Sequence, residues 1–536
     1  MKNCLIAVVF IMVGFASCAQ KKPRAVVPIE RDTTITEVNA FTHLFLDSIQ
    51  VARYIEDRQL EDSLSQLLRN FYNSRNYQLA WFTEDGVAEQ TQAFFTLHQQ
   101  YINEFKDSSF MFPEQLKTEL EQLLFQDTVI REISTPLAEV ELQLTQHFFN
   151  YVSYAYTGTV DPEILQWHIP RKRIDAMVLL DSLVERNGKK LEEWEPVNQQ
   201  YKLLKKAILH LYEVEKKSDW GEISLGLAKK YEEGDSASFV IQLKKKLLQT
   251  GDLKTQDTTV LFTSELTEAV KRYQYRMGLI EDGVVGKSVV RELNIPIKTR
   301  IEQLLINMER MRWMPNMPDG NGIVVNIPQY QLHVFEEGQI VFRMNIVVGK
   351  TGSETVIFSD ELKYVVFSPY WNVPRSIVRS EIYPAMKENP SYLSQKNMEQ
   401  TGFNNGLPVI RQKPGNTNSL GRVKFIFPNS YNIYLHDTPS RSLFGAEKRA
   451  FSHGCIRVEQ PVKLAEYLLR NDKEWTEEKI SQAMRINTEK WVALEKPVPV
   501  FISYFTAWVD QEGKLNFRDD IYGHDQIMAE RLFKKP

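Results

Sequence analysis

Along this chain the apolar positions change period twice. Between about 40 and 220 they recur every three or four residues: Leu64, Leu67, Leu68 and Phe71 first, then Leu137, Val140, Leu144, Phe148, Tyr151 and Val152 behind a helix-initiating Thr135-Pro136. That spacing predicts a helical domain. A second helical unit is expected over 232–296, where Val240, Leu243 and Leu247 share a face and Val270, Tyr273 and Met277 mark a helix closed by Gly278. Asp282-Gly283-Val284-Val285-Gly286 then leads into a third short helix through Leu293. After Arg300 the period falls to two. Strands are expected at 322–327, 330–335 and 340–349, the last two joined by Glu336-Glu337-Gly338-Gln339, and again at 364–368, 423–427, 431–436 and 498–504. Between Pro374 and Leu420 alternation gives way to a helix-like stretch, Ile377 to Met386, and a Gly/Asn/Pro-rich loop, an insertion over 375–420 of the size and position of a lid. The fold class predicted is multidomain α+β, with a mostly β domain over 300–510 and a tail over 511–536.

At the N-terminus Lys2 precedes an apolar run, Leu5 to Phe15, far short of the ~20 residues a spanning helix needs. Residues 1–17 therefore read as a secretory signal. It ends Phe15-Ala16-Ser17-Cys18, which resembles the lipobox of bacterial lipoproteins, with Phe15 where Leu is usual. The resemblance implies a lipidated Cys18, a membrane partner through the lipid anchor and a periplasm-facing location, the outer membrane being favoured over the inner by Ala19. A plain signal peptide is the alternative. Residues 18–39 are polar and aperiodic and read as a tether, which leaves 40–225 as the helical scaffold.

Charge and cysteine content narrow the chemistry. The 536 residues carry 65 Lys plus Arg against 69 Asp plus Glu, a net charge of -4, so no basic field gathers nucleic acid and no such partner is expected. Of three cysteines, Cys4 falls in the signal and Cys18 is the lipidation candidate just after it, leaving Cys455 without a disulfide partner and too few thiols for a zinc site. It is a small buried hydrophobe or a nucleophile. His98, His147, His168 and His210 lack metal-ligand spacing and read as structural; the aromatics of 71–81 read as core.

One stretch carries chemistry. In Tyr431-Asn-Ile-Tyr434-Leu-His436-Asp437-Thr438 alternation puts Ile433 and Leu435 on one face and Tyr434 and His436 on the other. Ser452-His453-Gly454-Cys455-Ile456-Arg457 follows, and a thiol needs an imidazole to take its proton. Both His436 and His453 are candidates. The spacing from His436 to Ser452-His453-Gly454-Cys455 resembles the signature of the YkuD-type L,D-transpeptidases. So do Val325-Asn326-Ile327-Pro328, Trp371-Asn372-Val373-Pro374, Leu420 to Phe425, and Leu435 to Ser440. Arg457 stands where many members have Asn. The pattern around 269–294 is similar to the three-helix peptidoglycan-binding domain, and the whole resembles the large Gram-negative branch with scaffold, wall-binding-like and capped catalytic domains.

That resemblance implies acyl transfer between peptidoglycan stem peptides through a Cys455 thioester, forming 3-3 cross-links, without cofactor or metal and with carbapenems as inhibitors. It implies His436 as general base, oriented by a carbonyl near Asp437, and His453 as support for loop or substrate. Gly454 and Cys455 amides are expected as oxyanion donors with help from Tyr434, and Ser452 and Asp437 as supports. Trp371 is expected to line the pocket, and Arg457 either to bind a stem carboxylate or to hold the loop by a salt bridge. L,D-carboxypeptidation and a non-catalytic wall tether are the alternatives.

Overall fold

The computed structural model describes residues 27–106, 111–125, 129–217, 220–315, 317 and 320–533. Cys18 and the signal lie outside them. Two compact units are present: residues up to 98 with 111–150 and 176–194, and 99–110 with 151–175 and 195–536. The scaffold expected over 40–225 is thus divided between them.

The first unit is helical. Its helices include Ser48–Asp57, Asp62–Ser74 and most of Thr135–Val152. Phe71, Tyr72, Trp81, Phe94 and Phe148 are fully buried, which makes the 71–81 aromatics core. Glu141 sits among them, accepting from the Ala80 and Trp81 amides and the Tyr72 hydroxyl, and burial pushes its carboxyl up to about 7. The end of the expected tether is pinned here: the Ile29 amide donates to Asn70 Oδ1 and the Asp32 amide to the Asn73 carbonyl, both at 2.9 Å. Backbone bonds to asparagines leave no hydrophobic periodicity to read.

In the second unit, helices Ser238–Gln249, Ser264–Met277 and Lys287–Leu293 form the compact bundle expected over 232–296, the second closed by Gly278 at φ 70°. They share one core with Gln199–Lys217, Ile297–Trp313 and the hairpin Ala507–Val509 with Leu515–Phe517. The change of period expected after Arg300 comes later. Ile297–Trp313 stays helical and gives Ile301, Leu304, Met308 and Met311 to this core, and Ile306 and Trp313 to the next. Its buried Glu309, Arg310 and Arg312 look in sequence like a solvated face, but they are paired internally: Arg312 with Glu309, and Arg310 with Asp525 at 2.5 Å.

The large β-sheet runs in the order Val423–Ile426, Leu435–His436, Ile456–Val458, Gln339–Gly349, Gln331–Glu336, Gly322–Asn326, Lys490–Ser503, Ile357–Phe367, Trp167–His168, and Val423–Ile426 also pairs with Ile357–Phe367, closing most of the sheet on itself. The strand expected at 431–436 shrinks to Leu435–His436 because Asn432 takes a left-handed φ of 57°. The insertion is a separate small layer: Arg375–Ile377, a π-type turn Val378–Ile382, Tyr383–Glu388, and strands Met398–Asn404 and Leu407–Gln412 around Ile377, Val378, Ile382 and Ile410.

The last segment is no tail. It supplies Leu515–Phe517, helix His524–Leu532 and Asp520, which accepts from the Tyr504 hydroxyl at 2.6 Å. Met528 is wholly buried in the core of the large sheet. Met528→Ala should therefore cost about 2–5 kcal/mol, read as a lower denaturation midpoint; an unchanged midpoint would show that this helix is dispensable.

Candidate active site

Two short strands assemble the site. Leu435–His436 and Ile456–Val458 pair in parallel, Leu435 opposite Ile456 and His436 opposite Arg457. The Ile456 amide donates to the Tyr434 carbonyl at 3.1 Å, extending the register to Tyr434 beside Cys455. Ile433, Leu435, Ile456 and Val458 turn into the core, all at most 5% exposed. By alternation Tyr434, Cys455, His436 and Arg457 share the other face. The Tyr434 and His436 rings meet edge to face, 5.7 Å between centroids.

The thiol is a free, half-buried group. Its Sγ lies 3.5 Å from the Asn432 carbonyl oxygen. Burial pushes it up from the ordinary thiol range, opposed by the amide and hydroxyl of Tyr434 and by Arg457. The Tyr434 hydroxyl in turn receives Trp371, and burial, with the neighbouring thiol, raises it far beyond any use as a base. Trp371 thus reaches the site through the phenol. Its strand, Trp371–Asn372, pairs with Leu407–Gln412 and links the cap to the sulfur.

His436 is buried, with Nδ1 2.5 Å from the Asp437 carbonyl oxygen, an orienting contact of the kind expected there. Desolvation, reinforced by Arg457, lowers its imidazole to about 3, against the opposing effect of the Asp437 and Leu420 carbonyls. It stays neutral at neutral pH. The pair is therefore a neutral imidazole and a protonated thiol, an arrangement for proton abstraction during attack and not a preformed thiolate. The sulfur's contacts are to the Asn432 carbonyl and to Tyr434.

Asp437 works as a staple: Oδ1 accepts from the Thr438 amide and from Arg441, and Oδ2 from the Arg422 amide. A Cβ at Gly421, φ 64°, would come within 2.3 Å of Asp437 Cγ, so the Leu420-Gly421-Arg422 phrase is shaped by this carboxylate. Ser452 Oγ accepts from the Gly454 amide at 3.2 Å and donates to the Cys455 carbonyl at 2.6 Å. This corrects one expectation: the Gly454 amide is committed to Ser452. Of the two expected oxyanion donors, only the Cys455 amide has no hydrogen-bond partner among the described residues. Behind the loop, Thr355 Oγ1 donates to the Gly454 carbonyl at 2.8 Å, and the Tyr522 hydroxyl donates to the Gly349 carbonyl at 2.5 Å.

Arg457 has no carboxylate partner among the described residues, and its Nε is buried and unpaired. No salt bridge of the kind expected as the alternative forms among the described residues, leaving a cation open to a ligand. His453 is 40% exposed, and its Nε2 lies 3.1 Å from Oε1 of Glu381 in the cap. Glu381, Asn432, Thr355 and Tyr522 escaped the sequence reading. Only the lid-like insertion hinted at the first.

With this geometry in place, family models match three stretches: the "L,D-transpeptidase catalytic domain" over 320–486, the "Scaffold domain" over 66–208 and the "Putative peptidoglycan binding domain" over 236–293. Residues 320–486 thus match the YkuD-type L,D-transpeptidase catalytic domain. A Haemophilus influenzae protein named "Putative L,D-transpeptidase" is 33% identical over 241 residues, 42% of this chain and 48% of that protein. The chain thus spans about half the length of this curated relative. Among solved structures, the L,D-transpeptidase of Stackebrandtia nassauensis is 15% identical, covering 52% of this chain and 96% of its own, with a TM-score of 0.22. The catalytic domain of an E. faecium L,D-transpeptidase acylated by ertapenem is 14% identical, covering 35% and 100%, with a TM-score of 0.17. The likeness rests on the domain models.

The electrostatics give a pH test. With His436 neutral down to about 3 and the thiol pushed up, alkylation by iodoacetamide, followed on the peptide carrying Cys455, should climb with pH through and beyond the ordinary thiol range of about 8.5. A plateau of reactivity beginning near the usual histidine value of about 6.5 would reveal a thiolate–imidazolium pair and contradict this account.

Proposed function

We propose that the protein forms 3-3 peptidoglycan cross-links as a cysteine acyltransferase. The observation that carries the reading is the shared face of Cys455, Tyr434, His436 and Arg457, with Arg457 unpaired beside the sulfur. A donor tetrapeptide stem places a carboxylate on Arg457, to which the guanidinium donates two parallel hydrogen bonds. His436 takes the thiol proton as Sγ attacks the carbonyl of the third residue, and the developing oxyanion meets the Cys455 amide and the Tyr434 hydroxyl. Collapse breaks the amide to the terminal D-Ala, whose nitrogen leaves with the proton held by His436. A thioester remains on Cys455. The side-chain amine of an acceptor stem then attacks it, forming the cross-link and returning the electron pair to sulfur.

Location follows the substrate: the wall-facing side of the cell envelope. Carbapenems fit as inhibitors because their strained acyl group would trap the same thiol. Residues 232–296 are proposed to hold wall polymer or to position the catalytic domain on it.

Incubated with purified disaccharide-tetrapeptide, the soluble chain should release D-Ala and yield a 3-3 linked dimer by mass. His436→Ala should slow acylation by roughly 10²–10⁴, and Cys455→Ala should be inert. Tripeptide without dimer would make it an L,D-carboxypeptidase. No product and no adduct would leave a wall tether.

The anchor is proposed at Cys18, on the Ala16-Ser17-Cys18 sequence. Two or three acyl chains give stable anchoring where one is marginal. Metabolic fatty-acid labelling should mark the wild-type protein and vanish in Cys18→Ala; an unlabelled wild type would make it a plain secreted enzyme.

A further inference from the structure

The acyl-transfer reading leaves one demand unmet by Cys455, His436 and Arg457. The acceptor arrives as an ammonium ion, and the sole strong charge on their shared face is the Arg457 cation, which suits a donor carboxylate and repels an amine. An ammonium needs an anion close to the thioester. Asp437 cannot serve, because both its oxygens are taken by Arg441 and the Thr438 and Arg422 amides. Glu354 lines a cavity of about 300 Å³ with Gln166 and His524, behind the loop that Thr355 ties to Gly454.

Glu381 fits the demand. It stands on the turn Val378–Ile382, whose Val378 and Ile382 are buried in the cap cluster with Ile377 and Ile410, so the backbone beneath it is fixed. Arg379, Ser380 and Glu381 face outward. A single turn of π-helix of this sort recurs at functional sites. The carboxylate is 53% exposed and meets His453, two residues before the nucleophile, at 3.1 Å. Both partners being open to water, the contact adds little to stability and leaves carboxylate oxygens free for another donor.

We infer that Glu381 of the cap is the acceptor-recognition residue, holding the incoming ammonium beside His453 over the Cys455 thioester. This rests on the acyl-transfer reading and assigns its second half-reaction. The ammonium gives one proton to the Glu381–His453 pair, which passes it to solvent. The amine lone pair then forms the C–N bond, the C–S bond breaks, and sulfur recovers a proton from the nitrogen as the amide forms. Water, the competing acceptor, gains nothing from a carboxylate that selects a cation.

The partition of one acyl-enzyme tests this free of folding and of acylation rate. Full-length protein is given disaccharide-tetrapeptide, and the ratio of cross-linked dimer to hydrolysed tripeptide is measured by mass at fixed substrate. Glu381→Gln should lower that ratio about tenfold or more, as expected for losing a charged hydrogen bond. Glu381→Asp should restore part of it, and Glu381→Lys should lower it further. An unchanged ratio in Glu381→Gln, with Cys455 still acylated, overturns the assignment of Glu381 alone. Failure of the wild type to form any Cys455 adduct overturns the acyl-transfer reading beneath it.

Discussion

Everything at this site depends on one register: two strands of two and three residues, running parallel, with Leu435 against Ile456. Side chains alternate along a strand, so a slip by a single residue would turn Cys455 and His436 into the core and Ile456 and Leu435 into the cleft. The four buried aliphatics on the inner face make that slip costly, each worth about 1.5–3 kcal/mol of apolar burial. Hydrophobic packing on one side of the ladder thereby sets chemical geometry on the other.

The polar contacts around the ladder hold its ends. Asp437 closes one, tying strand end to the 420–422 turn and presenting the carbonyl that fixes the imidazole. Ser452 and Thr355 close the other from opposite sides of Gly454, whose φ of 110° suits glycine. Tyr522, from the C-terminal segment, braces the Gly349 end of the same loop. Low local polarity pushes the thiol up and keeps the imidazole neutral, so no preformed thiolate stands at the site.

Much of this was legible in the sequence, and for a physical reason. Tyr434, His436, Cys455 and Arg457 lie on chain segments short enough for parity to predict their faces, and the Gly-Cys pairing marks a tight approach. The helical bundle around Val240 and Val270 was equally legible from its spacing. What escaped were features made by long-range polar pairing. Arg310 and Asp525 are buried partners 215 positions apart, a pairing that no local apolar spacing signals at the end of helix Ile297–Trp313 or in the C-terminal segment. Ile29 and Asp32 dock through backbone bonds that any residue could make. Glu381 is one carboxylate among several in an insertion, and only the fold brings it to His453.

The central claim is that Cys455 carries the acyl group. Brief exposure to tetrapeptide donor, acid quench and peptide mapping would test it most directly. The account predicts a donor adduct, less the terminal D-Ala, on the peptide containing Cys455 and abolished in Cys455→Ala. Turnover of donor with no adduct on that peptide, or with Cys455→Ala still active, would contradict it.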